Sequence, residues 1–94
     1  DSLHYSVSKS AINSLTYGLA KELSPTRVLS VAPSVIDTQF QKKFSSIKRI
    51  NSIVKDTPAK RIGSPEEVAN LISILCNHNI SYLSGETIFL TGGR

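Results

Sequence analysis

Apolar positions in the first quarter of the chain fall on one helical stripe. Ile12, Leu15, Leu19 and Leu23 recur at intervals of three or four, which predicts a helix from about Tyr5 to Leu23 with that stripe buried. Ser8, Ala11 and Ser14 lie elsewhere on it, where small side chains permit close packing against another helix. Pro25 ends the element. The period then changes. "RVLSVA", residues 27 to 32, is short and almost continuously apolar, as in a strand covered on both faces of a parallel sheet, and Pro33 terminates it. From Thr38 to about Lys55 the helical period returns. Phe40, Phe44, Ile47, Ile50 and Val54 trace one face, with Lys42, Lys43, Lys48 and Arg49 mostly off it, and Thr38 with Gln41 forms a capping-box pattern. "GSPEEV" opens a further helix, with Ser64 as N-cap, Pro65 at the first helical position and Glu67 completing the box. Val68, Leu71, Ile72 and Leu75 supply its buried face, and Asn77-His78-Asn79 ends it. "TIFL", residues 87 to 90, is a last strand after Gly85.

The order is helix, strand, helix, helix, strand. Two strands joined by a long helical connection make a right-handed parallel crossover. A parallel sheet needs more neighbours than two strands provide, and the opening helix has no preceding strand to cover. The expected fold class is therefore α/β, with residues 1–94 the C-terminal part of a larger sheet domain.

Composition narrows the function classes. The chain has 94 residues and a net charge of +4, but its Lys and Arg are spread from Lys9 to Arg94 without interleaved aromatics, which argues against nucleic-acid binding. No apolar run approaches membrane-spanning length and no signal peptide is visible; the expectation of a cytoplasmic protein comes from the lone cysteine, which can form no internal disulfide. The single Cys76 lies in an apolar helical pattern and reads as a buried, reduced thiol. Two His and one Cys give no zinc-ligand set, so no metal site is expected.

Tyr5 and Lys9 are four residues apart and stand one turn apart on the same helical face. That spacing alone is common by chance. Its company is not. "YSVSKSAINSLTYGLAKELSP", then "RVLSVAPSVIDTQF", "KRIGSPEEVANLISILCN" and "YLSGETIFLTGG" resemble, in order and over nearly the whole chain, the C-terminal part of a classical short-chain dehydrogenase/reductase, most like the 3-oxoacyl-carrier-protein reductase type. The resemblance implies the C-terminal portion of a doubly wound, NAD(P)-binding Rossmann fold and hydride transfer between nicotinamide and a carbonyl or secondary alcohol.

By that resemblance Tyr5 is the catalytic acid/base. A free phenol titrates near 10, and Lys9, matching the family's lysine, lowers that value through its charge while bonding the ribose hydroxyls of the cofactor. "PSVIDT", from Pro33 to Thr38, matches the family's loop after the sixth strand, so the Ile36 backbone would bond the nicotinamide carboxamide with help from the Thr38 hydroxyl. Tyr5, Lys9, Pro33, Ile36 and Thr38 are thus the implied cofactor contacts, to NAD or NADP. Thr38 also reads as a plain N-cap, and the two roles are compatible. Ser34 replaces the family's usual Gly, which puts the loop geometry in question. Phe40, Phe44 and Ile47 either line a pocket for an apolar substrate portion or pack on the sheet, while Lys42, Lys43, Lys48 and Arg49 either steer an acidic carrier or thioester or form a solvated face.

Several parts of the family pattern are missing from these residues: the glycine-rich phosphate turn, the residue that selects NAD or NADP, the structural Asn and the catalytic Ser, which lies about a dozen residues before the Tyr. Ser2 is too close to Tyr5, and Ser6 and Ser8 fall on its wrong side. "LTGGR" is not a dinucleotide turn, since no helix follows, and it aligns with the family's terminal Asp-Gly-Gly with Thr91 in place of Asp. The expectation is a small carbonyl, alcohol or acyl-thioester substrate and a homodimer or homotetramer, with residues 1–94 inactive alone. The alternative is a non-catalytic oligomerisation or interaction module.

Overall fold

The computed structural model describes residues 2–94. Its elements run α1 (Leu3–Glu22), β1 (Ser30–Pro33), α2 (Gln39–Phe44), α3 (Ile47–Asp56), α4 (Pro65–Leu75), a 3-10 turn (His78–Ile80) and β2 (Thr87–Leu90). β1 and β2 are neighbours in a two-stranded sheet. Ser30 N–H donates to Glu86 O at 3.0 Å and Ser34 N–H to Leu90 O at 2.9 Å. The pairing keeps the same offset while both chains advance, so the strands are parallel. The chain forms two compact units, one of residues up to Val31 with Asn77–Ile88, the other of Ala32–Cys76 with Phe89–Arg94.

In the first unit, the face of α1 that meets the turn before β2 is not the apolar stripe. Asn13 Oδ1 accepts a hydrogen bond from Thr87 Oγ1 at 2.9 Å. A Cβ on Gly85, whose φ is +79°, would stand 3.4 Å from Ala20 Cβ and 3.7 Å from Tyr17 Cδ2. Thr16, between them, is buried, and its hydroxyl is satisfied by donating to Ile12 O at 2.8 Å. Positions 13, 16, 17 and 20 thus form the covering face. The stripe expected to be buried is largely open: Ile12, Leu15 and Leu23 are exposed and only Leu19 is half-buried. The reason is geometric. A four-residue strand and a tight turn cover only part of a twenty-residue helix, and the turn meets it at Tyr17 and Ala20. α1 ends at Glu22, with Leu23 N–H closing onto Leu19 O.

In the second unit, the single helix expected from Thr38 to Lys55 is two. Ser45 and Ser46 are both extended; Ser45 Oγ donates to Gln41 Oε1 at 2.6 Å, and Ser46 Oγ accepts from Arg49 N to cap α3. Two adjacent serines with local hydrogen bonds offer the backbone an alternative to continuing the helix. The same bond occupies Gln41, so Thr38 caps α2 through Gln41 N at 3.4 Å without the reciprocal bond of a box. α4 has the full box: Ser64 Oγ accepts from Glu67 N, Glu67 Oε2 from Ser64 N, and Pro65 stands at the start.

Leu75 is buried and is the one buried apolar side chain among the described residues. Ile72, placed on the same face from the sequence, is exposed, and so is Cys76, which is the C-cap of α4 rather than an interior thiol. Thr57, beyond α3, is buried with its hydroxyl on Ile53 O at 2.7 Å. Gly92 (φ +64°) packs against it so closely that a Cβ there would lie 3.0 Å from Thr57 Cγ2, and Ala59 N–H donates to Gly92 O. β1 starts at Ser30, later than the apolar run suggests.

Candidate active site

α1 carries Tyr5 and Lys9 on one face, with Lys9 Nζ 5.5 Å from the centroid of the Tyr5 ring. Both side chains are exposed, Tyr5 at 60%. Ser8 donates its hydroxyl to Tyr5 O at 2.8 Å, a bond within the helix that leaves the phenol free. A cation above an aromatic face is a favourable contact, and it lies here between two solvent-exposed side chains.

The loop from Pro33 to Thr38 belongs to the second unit. Ile36 and Gly63 form an isolated parallel bridge. Gly63 N–H donates to Val35 O at 3.0 Å and Gly63 O accepts from Asp37 N at 2.9 Å. In a parallel bridge the flanking residues bond the partner, so the N–H and C=O of Ile36 itself point to the opposite side. One residue thereby presents a donor and an acceptor together, the complement of a primary carboxamide. Thr38 follows as the N-cap of α2. Ser34, where a Gly was expected, has no positive φ, and its N–H continues the strand ladder onto Leu90 O. A Cβ is therefore accommodated without backbone strain.

Behind this loop lies a cavity of about 100 Å³ whose lining includes Ser34, Val35, Thr57, Gly63, Glu67 and Gly92. Phe40 and Phe44, with ring centroids 4.6 Å apart, do not line it; they and Ile47 are exposed rather than packed on the sheet. Among the described residues no group of three or more His, Cys, Asp or Glu side chains gathers as a metal site would require, and no helix is long and apolar enough to cross a membrane.

Sequence reasoning missed the contacts around Gly63, which bonds the loop, and the ion pair beside it. Arg61 makes a bidentate pair with Glu67, Nη1 to Oε2 at 2.8 Å and Nη2 to Oε1 at 2.6 Å. The Arg61 bonds, the Ser64 backbone bond and the Arg61 charge together lower the Glu67 carboxyl to about 2. The Ser64/Glu67 box was visible in the sequence; the Arg61 partner spans a turn at no helical period, and the Gly63 bridge joins segments far apart in the chain.

A family model described as enoyl-(acyl carrier protein) reductase matches residues 1–94. Dehydrogenase/reductase SDR family member 4 of Bos taurus is 44% identical over 92 residues, 95% of this chain and 33% of the relative. The chain belongs to the short-chain dehydrogenase/reductase family. The 3-oxoacyl-[acyl-carrier-protein] reductase of Aquifex aeolicus is 42% identical over 94 residues, 97% of this chain and 37% of that protein. Among solved structures, a short-chain dehydrogenase/reductase from Brucella melitensis superposes with a TM-score of 0.87 at 40% identity, covering 96% of this chain and 37% of that one. 4-Hydroxyisoleucine dehydrogenase complexed with NADH gives 0.86 at 27% identity, over 95% and 38%. These neighbours share the Rossmann-type α/β fold of the family. The chain spans about a third of the length of the curated relatives it matches.

Proposed function

We propose that residues 1–94 are the C-terminal part of a single Rossmann domain in a nicotinamide-dependent oxidoreductase acting on a carbonyl or secondary alcohol. The observation that carries this is the exposed Tyr5/Lys9 pair on one face of α1 in a chain of this family. When bound, NAD or NADP supplies or accepts the hydride at C4 of its nicotinamide ring. Tyr5 Oη holds the proton: it gives it to the carbonyl oxygen in reduction and takes it from the hydroxyl in oxidation. Lys9 brings a positive charge beside the phenol and three donors for the ribose hydroxyls. Ile36 offers its free N–H and C=O to the carboxamide, between Pro33 and Thr38, and this donor–acceptor set fits that group. The NADH carried by 4-hydroxyisoleucine dehydrogenase supports the cofactor class. The likeness to a 3-oxoacyl reductase, with the exposed Phe40, Phe44 and Ile47, supports an acyl thioester or other substrate with an apolar portion. Assembly as a homodimer or homotetramer and a cytoplasmic location complete the reading.

The test is a nicotinamide absorbance assay of the full-length protein against a panel of ketones and 3-oxoacyl thioesters. Turnover that Tyr5→Phe abolishes upholds the reading; turnover indifferent to Tyr5 overturns it. A second reading, an association module without catalysis, is favoured by the exposed Leu3, Val7 and Leu15 of α1. It predicts oligomers with no cofactor-dependent absorbance change on any substrate.

A further inference from the structure

We propose that Glu67 is a positioning residue for the nicotinamide carboxamide, acting through Arg61, Ser64 and Gly63 on the backbone of Ile36. This rests on the reading of Ile36 as the carboxamide's partner and adds what holds it in place.

One carboxylate gathers three donors. Glu67 Oε1 accepts from Arg61 Nη2 at 2.6 Å, and Oε2 accepts from Arg61 Nη1 at 2.8 Å and Ser64 N at 2.9 Å. Arg61 Nη1 also bonds Ile62 O at 3.3 Å. Residues 61 to 64 are thus closed on Glu67 from both ends, with Gly63 inside the closure. Gly63 then grips the loop on either side of Ile36, through Val35 O and Asp37 N. The approach is close enough that a Cβ on Gly63 would meet Ile36 Cδ1 at 2.6 Å. Because both bonds flank Ile36, a shift of Gly63 moves or rotates the peptide groups that Ile36 presents. The ion pair on this loop is weak: Lys42 Nζ lies 3.8 Å from Asp37 Oδ1, and both side chains are largely exposed. Ser34 N–H anchors the start of the loop on Leu90 O at 2.9 Å, and the bidentate Arg61–Glu67 bonds, of the stronger charge-assisted kind, anchor the turn whose Gly63 holds the loop at Ile36.

The experiment compares equilibrium binding of NAD(H) or NADP(H), whichever the full-length protein takes, with the matching ADP-ribose, which lacks the nicotinamide ring. Glu67→Ala should weaken the dinucleotide about fivefold, the worth of one ordinary hydrogen bond, while ADP-ribose binding stays unchanged. Arg61→Met, which keeps the Glu67–Ser64 bond and serves if Glu67→Ala does not fold, should shift the ratio the same way by less. Lys42→Ala should leave it unchanged. Equal weakening of both ligands would mean a general structural role, and no change in either would mean no role; each outcome overturns the proposal. The unsubstituted protein separates the deeper failure: if it binds ADP-ribose as tightly as the dinucleotide, the carboxamide reading of Ile36 falls, and this proposal with it.

Discussion

Lys9 Nζ stands 5.5 Å from the centre of the Tyr5 ring, one helical turn away on α1. Neither side chain needs a loop to place it. A rigid helix fixes the spacing of their backbone positions, and such fixed spacing is what the proposed acid/base group and its neighbouring charge would require.

Tyr5→Phe in the full-length protein keeps the ring under Lys9 and removes only the hydroxyl. Turnover is expected to fall by about 10²-fold or more, the usual worth of a positioned acid/base, with cofactor affinity within about twofold of the unsubstituted protein because the substitution leaves the proposed contacts of Lys9 and Ile36 in place. Steady-state rates and a fluorescence titration of cofactor check the two halves separately.

Lys9→Ala is expected to act on both quantities. Loss of the ammonium removes donors for the ribose and the charge beside the phenol, so cofactor binding weakens and turnover slows together. An unchanged cofactor affinity in this variant would show Lys9 to be a surface charge only.

The elements were legible where local chemistry decides them. Ser64-Pro65 with Glu67 opens α4, and "TIFL" is β2, at the bounds the pattern gives. The pattern failed where tertiary contact or local competition decides. Ser45 and Ser46 split a continuous apolar period into α2 and α3 by hydrogen bonds that hydrophobicity does not register. On α1 the face of Asn13, Thr16, Tyr17 and Ala20 meets the turn and start of β2 while Ile12 and Leu15 stay exposed, a choice of face set by tertiary contact that hydrophobic period does not register. Of the candidate groups, the Tyr5/Lys9 pair on α1 and, in the other unit, the Pro33–Thr38 loop were marked by spacing within a family resemblance. The pairing of Gly63 with Ile36 was not, since a bridge between distant segments leaves no periodic trace.

Ser34→Gly is expected to leave cofactor affinity within about twofold, for the backbone there already has an ordinary φ and its N–H is held by Leu90 O. The same cofactor titration checks it. A marked gain in affinity would mean that the Ser34 side chain obstructs the loop.

Acid should erase the contribution of the Arg61–Glu67 pair. Glu67 is lowered from 4.5 to about 2 in the folded protein, the Arg61 hydrogen bonds being the largest cause. A carboxyl with a depressed folded-state value stabilises the fold above its unfolded value and loses that contribution as pH falls through the folded one. The Tm difference between the protein and Glu67→Gln should therefore be full at neutral pH and disappear between about 4.5 and about 2. Both partners are exposed, so added salt should also shrink it. A Tm gap independent of pH over that window would show that the charge of Glu67 is not what matters.

Residues 1–94 expressed alone should neither turn over nor remain monomeric. Leu75 is the one buried apolar side chain among those described, while Leu3 is 80% exposed, Leu15 58% and Phe89 66%. Apolar surface of that extent drives association. The curated relatives are about three times as long as the segment matched, and the glycine-rich turn and carbonyl-polarising Ser that the family pattern requires have no counterpart here. Most dinucleotide affinity comes from such a turn, where the pyrophosphate meets a helix N-terminus. Tyr5 and Lys9 would then have no positioned hydride donor, and positioning is a large share of the rate. Light scattering should report oligomers or aggregates, and titration with NAD(H) and NADP(H) should show no micromolar binding. Micromolar affinity with measurable turnover on 3-oxoacyl or simple ketone substrates would instead mean that these residues form a self-sufficient enzyme.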